Sequence, residues 1–451
     1  MSETAFYPGL SPITTLPAVI PPTTRFNFIK NWWHRSEKTS NIAEARMIKR
    51  IYEPRPAIVP IAARVGRISL DDKKLSNRKA REINTLYISQ QQSQASPFEF
   101  ESEPTEGLLE VIKSEANPET KNLVMCHGYG AGLGFFYRNY QALSQVPGYR
   151  LFSIDWLGMG RSSRPKWTLS KKSCQTWDEI VDNVEDHFVQ SLEDWREKVG
   201  LEKMTLMGHS LGGYFAACYA LQYPHRVEKL ILVSPAGIPE DDPYNVRKKV
   251  TNTPPEETLK KEALEIGASL QADAAAAEAA IHTPKSSSSS STSSSDSSST
   301  GIKLPTWLTY LWNNNYTPMG IVRTLGPVGA SLVHTYTSRR FAHLEKDEQH
   351  DIYDYLYNIT SSTGSGEYAL AAILAPGAVA RKPLLRRLAN LTMPTVFIYG
   401  EYDWMDFRAA EKAKRFMSVP AKVVSVPYGG HHMYLDNPDS FNDLMKKILS
   451  Q

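Results

Sequence analysis

Cysteine, net charge and long apolar runs are all scarce in this sequence. The three cysteines among 451 residues, Cys126, Cys174 and Cys218, are widely spaced and fit neither a disulfide framework nor a metal-ligand pattern. Acids and bases nearly balance at a net charge of +3, which argues against a nucleic-acid partner. The sequence has no run of about 18 apolar residues that would predict a transmembrane helix, and no secretory hydrophobic region opens it. We therefore expect a globular protein of a reducing compartment.

Acidic residues are almost absent from residues 1–35, where Glu3 is the only one. Low acid content is typical of a mitochondrial presequence, but the few arginines and several prolines favour a disordered tail instead. Residues 26–35 interleave four aromatic side chains with bases. Tryptophan flanked by cations is typical of lipid interfaces, so Trp32 and Trp33 are candidates for membrane contact. The alternative is that both rings pack on the domain.

Short apolar segments that alternate with helical patterns dominate the middle and the end of the chain. The predicted strands are 83–88, 107–112, 122–126, 149–154, 204–207, 229–233, 395–399 and 422–426. The predicted helices are 40–51, 176–199, 211–223 and 440–449. This alternation predicts an α/β protein with a mostly parallel, doubly wound sheet.

Composition divides the chain into five segments. They are an N-terminal tail with the aromatic and basic segment and a helix (1–80), a first part of the core (81–238), an Ala- and Ser-rich low-complexity insert (239–303), a helical block (304–391) and a last part of the core (392–451). The serine run cannot bury apolar surface and is expected to be disordered. The helical block falls between two sheet strands, which predicts a lid inserted over one edge of the sheet.

The segment around Ser210 has the pattern G-x-S-x-G, from Gly208 to Gly212. An apolar strand precedes it and a helical pattern follows, which is the context of a nucleophile elbow. The two glycines remove side chains that would collide where strand and helix meet. The alternative is an ordinary Gly-rich turn between a strand and a helix. The first interpretation makes Ser210 a candidate nucleophile.

A serine nucleophile needs a base, and the base needs an orienting carboxylate. Asp403 follows the predicted strand 395–399, and His431 follows the last predicted strand. The order serine, acid, histidine, with each residue on a loop after a strand, fits hydrolases built on such sheets. Asp406 is the rival acid and His432 the rival base. We predict that Asp403 and His431 are the partners of the serine.

Acyl transfer also requires two backbone N–H groups that face the developing oxyanion. One is expected from Leu211, and the other from the Gly-rich loop after His127, at Tyr129 or Gly130. A phosphate cradle is the competing interpretation of this loop, but the spacing lacks the required glycine pattern. Asp155 ends a predicted strand but precedes the serine, so we assign it to a structural loop. This chemistry needs no metal ion or organic cofactor.

Several segments together resemble a known family. They are 127–134, 155–165, 208–213, 224–239, 326–332, 365–367 and 431–436. The chain resembles the lipid-acting α/β-hydrolases related to the lipase co-activator of lipid droplets and to the cardiolipin-specific deacylases of mitochondria. The resemblance implies an α/β-hydrolase fold with Ser210, Asp403 and His431 as the catalytic triad. The co-activators carry Asn at the position of Ser210, which favours an enzyme here. The element from His431 to Asp436 matches an H-x-x-x-x-D pattern linked in this family to lysophosphatidate acyl transfer.

We therefore expect a peripheral membrane enzyme that removes acyl chains from phospholipids, with cardiolipin as a candidate substrate and the mitochondrion as its location. Two alternatives stay open: a lysophosphatidic acid acyltransferase that uses the same site, and a lipid-surface co-activator of another lipase. Lipid droplets and the cytoplasm are the alternative locations.

Overall fold

A nine-stranded sheet forms the centre of the computed structural model, which describes residues 24–52, 61–71, 80–90, 100–102, 105–166, 175–239, 312, 316–375 and 379–451. Its strands are β1 (Ile61–Ser69), β2 (Glu82–Gln90), β3 (Phe100–Ser102), β4 (Lys121–Cys126), β5 (Tyr149–Ile154), β6 (Met204–His209), β7 (Val227–Val233), β10 (Thr395–Gly400) and β11 (Ala421–Val426). Two short strands, β8 (Leu374–Ala375) and β9 (Val379–Ala380), pair separately. The order in the sheet is β11-β10-β7-β6-β4-β5-β2-β1-β3.

The strands from β11 to β5 are parallel, whereas β2 is antiparallel to both β5 and β1. Helices occupy both faces, as a parallel sheet requires. They are α1 (Arg25–Trp33), α2 (Glu37–Lys49), α3 (Thr105–Ser114), α4 (Tyr137–Ser144), α5 (Trp177–Val199), α6 (Leu211–Gln222), α7 (Pro318–Thr324), α8 (Pro327–Arg340), α9 (Lys346–Thr360), α10 (Ala369–Ile373), α11 (Arg408–Lys414), α12 (Met433–Asp436) and α13 (Pro438–Leu449). The predicted doubly wound, mostly parallel sheet is confirmed.

Two apolar layers hold the helices on the sheet. Along β4 the side chains alternate between the layers, with Leu123 and Met125 on one face and Val124 and Cys126 on the other. The first layer also contains buried residues of α2, α4, α9 and α13, and the second contains those of α3, α5 and α6. This burial on both faces explains why the central strands are continuous apolar runs in the sequence.

The prediction of a strand at 107–112 is wrong, because these residues lie in α3. Leu108 and Ile112 are buried four positions apart, which is the helical spacing of a face packed on the sheet. A second difference is β1, which no pattern predicted. It pairs with β2 along its whole length, so the sheet begins before residue 81.

Helices α7, α8 and α9 lie between β7 and β10 in the sequence, at the position of the predicted lid insertion. The Tyr355 hydroxyl of α9 accepts a hydrogen bond from the Gly134 N–H at 3.2 Å. Two Arg138 nitrogens of α4 lie 2.9 and 2.8 Å from the Glu348 carboxylate of α9. The insertion is therefore joined to the core by polar contacts as well as by apolar packing.

The prediction of a disordered tail over residues 1–35 is wrong for residues 25–33, which form α1 and are capped by Thr24, whose hydroxyl accepts from the Asn27 N–H. The tail before residue 24, the serine-rich segment within 240–303 and Cys174 lie outside the described ranges. The other two cysteines, Cys126 and Cys218, are free thiols in the core. In the part of the chain that the structure describes, no helix is long and apolar enough to span a bilayer.

Candidate active site

Ser210 occupies the sharp turn between β6 and α6, with a φ of 52° that residues other than glycine rarely adopt. A Cβ on Gly208 would lie 2.4 Å from the Gly212 carbonyl oxygen, and one on Gly212 would lie 2.2 Å from the His127 oxygen. Neither glycine can therefore be replaced without moving the backbone. This close approach maintains the strained turn that holds the serine at the end of the strand.

The side chains of Ser210, His431 and Asp403 lie together at the carboxyl ends of β6, β11 and β10. The His431 Nε2 atom is 3.1 Å from the Ser210 Oγ, and its Nδ1 atom is 3.1 Å from an Asp403 carboxylate oxygen. In this arrangement the Nδ1–H donates to the carboxylate, and Nε2 accepts from the serine hydroxyl. The structure thus brings together the three residues that chain order indicated.

Two further hydrogen bonds fix the Asp403 carboxylate. The Ser234 hydroxyl donates to one oxygen, and the Met405 N–H donates to the other at 3.0 Å. Ser234 directly follows β7 and has a φ of 46°; sequence reasoning missed it, although its place at a strand end was a usable signal. The rival acid, Asp406, instead accepts from the Arg408 N–H at 2.9 Å.

The rival base, His432, does not face the serine. An Arg340 nitrogen lies 3.3 Å from its Nδ1, and burial lowers the pKa of His432 well below the ordinary value. His209, in the middle of the G-x-S-x-G pattern, lies beside the base: its Nε2–H donates to the His431 carbonyl oxygen at 2.9 Å. Burial also lowers the pKa of His209, so it fixes the backbone of His431 as a neutral donor.

The loop after β4 passes close to the nucleophile. A Cβ on Gly128 would lie 3.0 Å from the Ser210 Cβ. Among hydrogen bonds between described residues, the N–H groups of Tyr129, Gly130 and Leu211 have no acceptor. These three donors, one directly after the serine and two directly after Gly128, are therefore available to an oxyanion.

Asp155 is fully buried next to this loop. It makes no hydrogen bond to the serine, in agreement with its assignment to a structural loop. Its carboxylate accepts hydrogen bonds from the Leu133 N–H at 2.7 Å, the Arg161 N–H at 2.8 Å and the Asn84 amide at 2.9 Å. These contacts connect the Gly-rich loop to the loop after β5. Asp155 therefore fixes the backbone that presents the oxyanion donors.

Asp436 is not among the groups that meet at the serine. Its carboxylate accepts from the Gly430 N–H at 2.9 Å and pairs with Arg340 of the insertion. The H-x-x-x-x-D element thus places its histidine in the site and its aspartate behind the loop.

The two tryptophans proposed for membrane contact differ in their surroundings. Trp32 is half-buried, and its indole lies 3.7 Å from where a Cβ on Gly326 would be. Trp33 is 74% exposed, and Phe26 and Ile29 are exposed on the same helix. Helix α1 therefore packs on α8 through Trp32 and leaves Trp33 outside.

Three buried histidines, His127, His209 and His432, predict an acid-sensitive fold. Burial lowers the pKa of each below the ordinary value, so unfolding at low pH adds protons to them. Asp354, whose pKa burial raises to about 6, acts in the opposite direction. The histidine contribution is complete above about pH 6.5 and is lost as the pH falls, so we expect the free energy of unfolding to drop by about 2 kcal/mol between pH 6.5 and 5.5. Urea titrations at both pH values measure it; an equal or higher value at pH 5.5 would contradict the prediction.

The site can transfer a proton from a serine hydroxyl to an imidazole that a buried carboxylate orients. In the described part of the chain, no three His, Cys, Asp or Glu side chains are arranged to hold a metal ion. A family model described as the alpha/beta hydrolase fold matches residues 121–438. The chain belongs to the α/β-hydrolase family.

This α/β-hydrolase has relatives with names from lipid metabolism. A protein of Oryza sativa subsp. japonica named "Probable 1-acylglycerol-3-phosphate O-acyltransferase" is 38% identical over 75% of this chain and 69% of its own length. A (lyso)-N-acylphosphatidylethanolamine lipase of Mus musculus is 31% identical over 74% and 81%. The 1-acylglycerol-3-phosphate O-acyltransferase ABHD5 of Rattus norvegicus is 29% identical over 72% and 76%. The predicted resemblance to lipid-acting α/β-hydrolases is confirmed.

Proposed function

We propose that this α/β-hydrolase is a serine-dependent phospholipid acyl hydrolase. The hydrogen-bonded chain from Ser210 through His431 to Asp403 is the observation that supports it most. The serine oxygen attacks the ester carbonyl while His431 Nε2 takes its proton. The histidine then returns the proton to the leaving lysolipid oxygen, and water releases the fatty acid from the acyl-enzyme by the same route.

The oxyanion of each tetrahedral intermediate binds the N–H of Leu211 and the N–H of Tyr129 or Gly130. One donor begins α6 and the other lies on the Gly-rich loop, which Asp155 holds through the Leu133 N–H. A fixed donor needs no reorganisation when charge develops on the substrate oxygen. Asp403 keeps the imidazole in the tautomer that can accept the serine proton.

A lipid panel tests the proposed reaction. Purified protein is incubated with vesicles that contain cardiolipin, phosphatidylcholine, N-acyl-phosphatidylethanolamine or triacylglycerol, and fatty acid release is measured. We expect release from a phospholipid, with cardiolipin as the candidate. Release from triacylglycerol alone would contradict a phospholipase, and no release from any lipid would favour acyl transfer or a co-activator.

Acyl transfer to lysophosphatidate is the second candidate, favoured by the name of the rice relative. The same acyl-enzyme would then pass its acyl group to a lysolipid hydroxyl instead of water. Incubation with labelled acyl-CoA and lysophosphatidate separates the two, because only a transferase forms labelled phosphatidate. Free labelled fatty acid as the sole product would support the hydrolase.

The exposed side chains of α1 support peripheral binding to a lipid surface. Phe26, Ile29 and Trp33 project from a helix that also carries Arg25 and Lys30, which suit an anionic membrane. We expect the Ile29→Ala/Trp33→Ala protein to bind phosphatidylcholine vesicles containing cardiolipin at least about tenfold more weakly in a sedimentation assay. Phe416→Ala, which removes an exposed ring outside α1, is the matched control. Equal binding by wild type and the α1 variant would refute the lipid contact.

We also propose that the enzyme works on a mitochondrial membrane. The acid-poor residues 1–35 support this location. Imaging of the full chain with a C-terminal fluorescent tag tests it, and a signal on lipid droplets or throughout the cytoplasm would contradict it.

A further inference from the structure

A partly buried ion pair joins the insertion to the loop that holds His431. Arg340, the last residue of α8, lies with one terminal nitrogen 2.9 Å and the other 3.0 Å from the two carboxylate oxygens of Asp436. The side chains are only 19% and 12% exposed. A bidentate pair of this kind fixes orientation as well as distance. The end of α8 is therefore held against α12.

The Asp436 carboxylate also contacts the loop that carries His431, which we call the base loop (residues 429–432). One Asp436 oxygen accepts both an Arg340 N–H and the backbone N–H of Gly430, the latter at 2.9 Å. Gly430 directly precedes His431, and α12 is a single turn that brings Asp436 back toward the start of the loop. The five-residue spacing between His431 and Asp436 lets the aspartate reach back to the Gly430 N–H.

Asp436 has no hydrogen bond to His431 or to Ser210 within the described residues. The imidazole Nδ1 is already paired with Asp403, and its Nε2 faces the serine. The aspartate of the element therefore has no free position on the histidine from which to assist acyl transfer.

Arg340 also contacts the neighbouring residue of the loop. One of its nitrogens donates to the Nδ1 of His432 at 3.3 Å. The centroids of the His432 and His209 rings are 5.2 Å apart. His209 in turn donates to the His431 carbonyl oxygen. The residues on both sides of His431 are thus held by groups that Arg340 reaches.

We propose that Arg340 and Asp436 are positioning residues, through which the insertion sets the place of His431 for hydrolysis and acyl transfer alike. The catalytic consequence rests on the proposed function, whereas the positioning itself does not. The element linked to acyl transfer then acts on the base loop and not on the acyl acceptor.

Hydrogen exchange tests the positioning without any substrate. Arg340→Gln breaks the bidentate pair, and Arg340→Lys keeps the charge but not the fork geometry. Arg138→Gln is the matched control, because Arg138 also forms a bidentate pair with a carboxylate of the insertion, Glu348. We expect faster exchange in residues 429–432 for Arg340→Gln, an intermediate rate for Arg340→Lys and the wild-type rate for Arg138→Gln. Wild-type exchange in the Arg340 variants would overturn the proposal.

Kinetics test the consequence. We expect Arg340→Gln to lower kcat by about 10²-fold with little change in KM, because a displaced base reacts poorly with bound substrate. Partial rescue by Arg340→Lys is expected. Asp436→Asn, which keeps an acceptor for Gly430, serves if Arg340→Gln does not fold. Hydrolysis and acyl transfer should fall by the same factor, and selective loss of transfer would overturn the proposal. If Ser210 of the wild type reacts with neither lipid nor a fluorophosphonate probe, the proposed function fails, and hydrogen exchange alone decides the positioning.

Discussion

We expect the Ser210→Ala protein to release fatty acid from its lipid substrate on the order of 10⁶-fold more slowly than wild type. In the proposed mechanism the hydroxyl oxygen forms the acyl-enzyme, and no other described side chain lies in its place beside His431 Nε2. Alanine accepts the same backbone conformation, so the melting temperature should stay close to that of wild type. Fatty acid release and thermal melting of the two purified proteins measure both effects.

Ser191→Ala is the matched control for this loss. Ser191 is a buried serine in the middle of α5, where its hydroxyl donates to the Phe188 carbonyl oxygen. Its replacement removes the same atom type from the interior without touching the site, so activity should remain. Wild-type turnover by Ser210→Ala would refute the acyl-enzyme mechanism. Loss of activity in both proteins would indicate a folding defect.

The second large effect is expected from Asp403→Asn, which should lower kcat by about 10⁴-fold at neutral pH. An amide at this position cannot stabilise the imidazolium and favours the tautomer that carries the proton on Nε2. The Ser234 hydroxyl can still donate to the amide oxygen, whereas the Met405 N–H loses the oxygen that it shares with His431. The amide has the shape of the carboxylate, so the side chain should keep its place. The pH–rate profile of the variant and its melting temperature separate loss of the acid from loss of the fold.

Asp406→Asn provides the contrast, because Asp406 lies three positions later on the same loop and was the rival acid. Its carboxylate faces the Arg408 N–H and is 36% exposed. Asp406→Asn removes one negative charge, as Asp403→Asn does, from a position close by in the sequence. We expect nearly full activity. A loss in Asp406→Asn as large as that in Asp403→Asn would exclude our assignment of the acid.

Much of the sheet is predictable because central parallel strands are buried on both faces. The runs at 122–126 and 204–207 are apolar without interruption for this reason. The segment 107–112 defeats the same logic, since a short apolar run fits a buried strand and a helix face equally well. β1 lacks the pattern altogether: Arg64 and Arg67 interrupt it because they lie near the edge of the sheet and reach acidic partners.

The candidate site is predictable where chain order alone determines position. Ser210, Asp403 and His431 each follow a strand of one parallel sheet, so their carboxyl-end loops must converge. Ser234 and the Arg340–Asp436 pair were not predicted, because each depends on which side chains of distant segments meet. The same limit applies to Trp32 and Trp33, which are adjacent in sequence although Trp32 is half-buried and Trp33 is exposed.

The pairing of β7 with β10 has a consequence for synthesis of the chain. These strands are neighbours in the sheet, yet the whole insertion separates them in sequence, and β11 comes later still. A polypeptide that leaves the ribosome N-terminus first can form β4, β5 and β6 and expose its nucleophile while acid and base are still untranslated. Under the proposed mechanism, activity therefore arises only after His431 has been synthesised. A premature stop between the end of β11 and residue 431 would yield a protein with most of its core and no base.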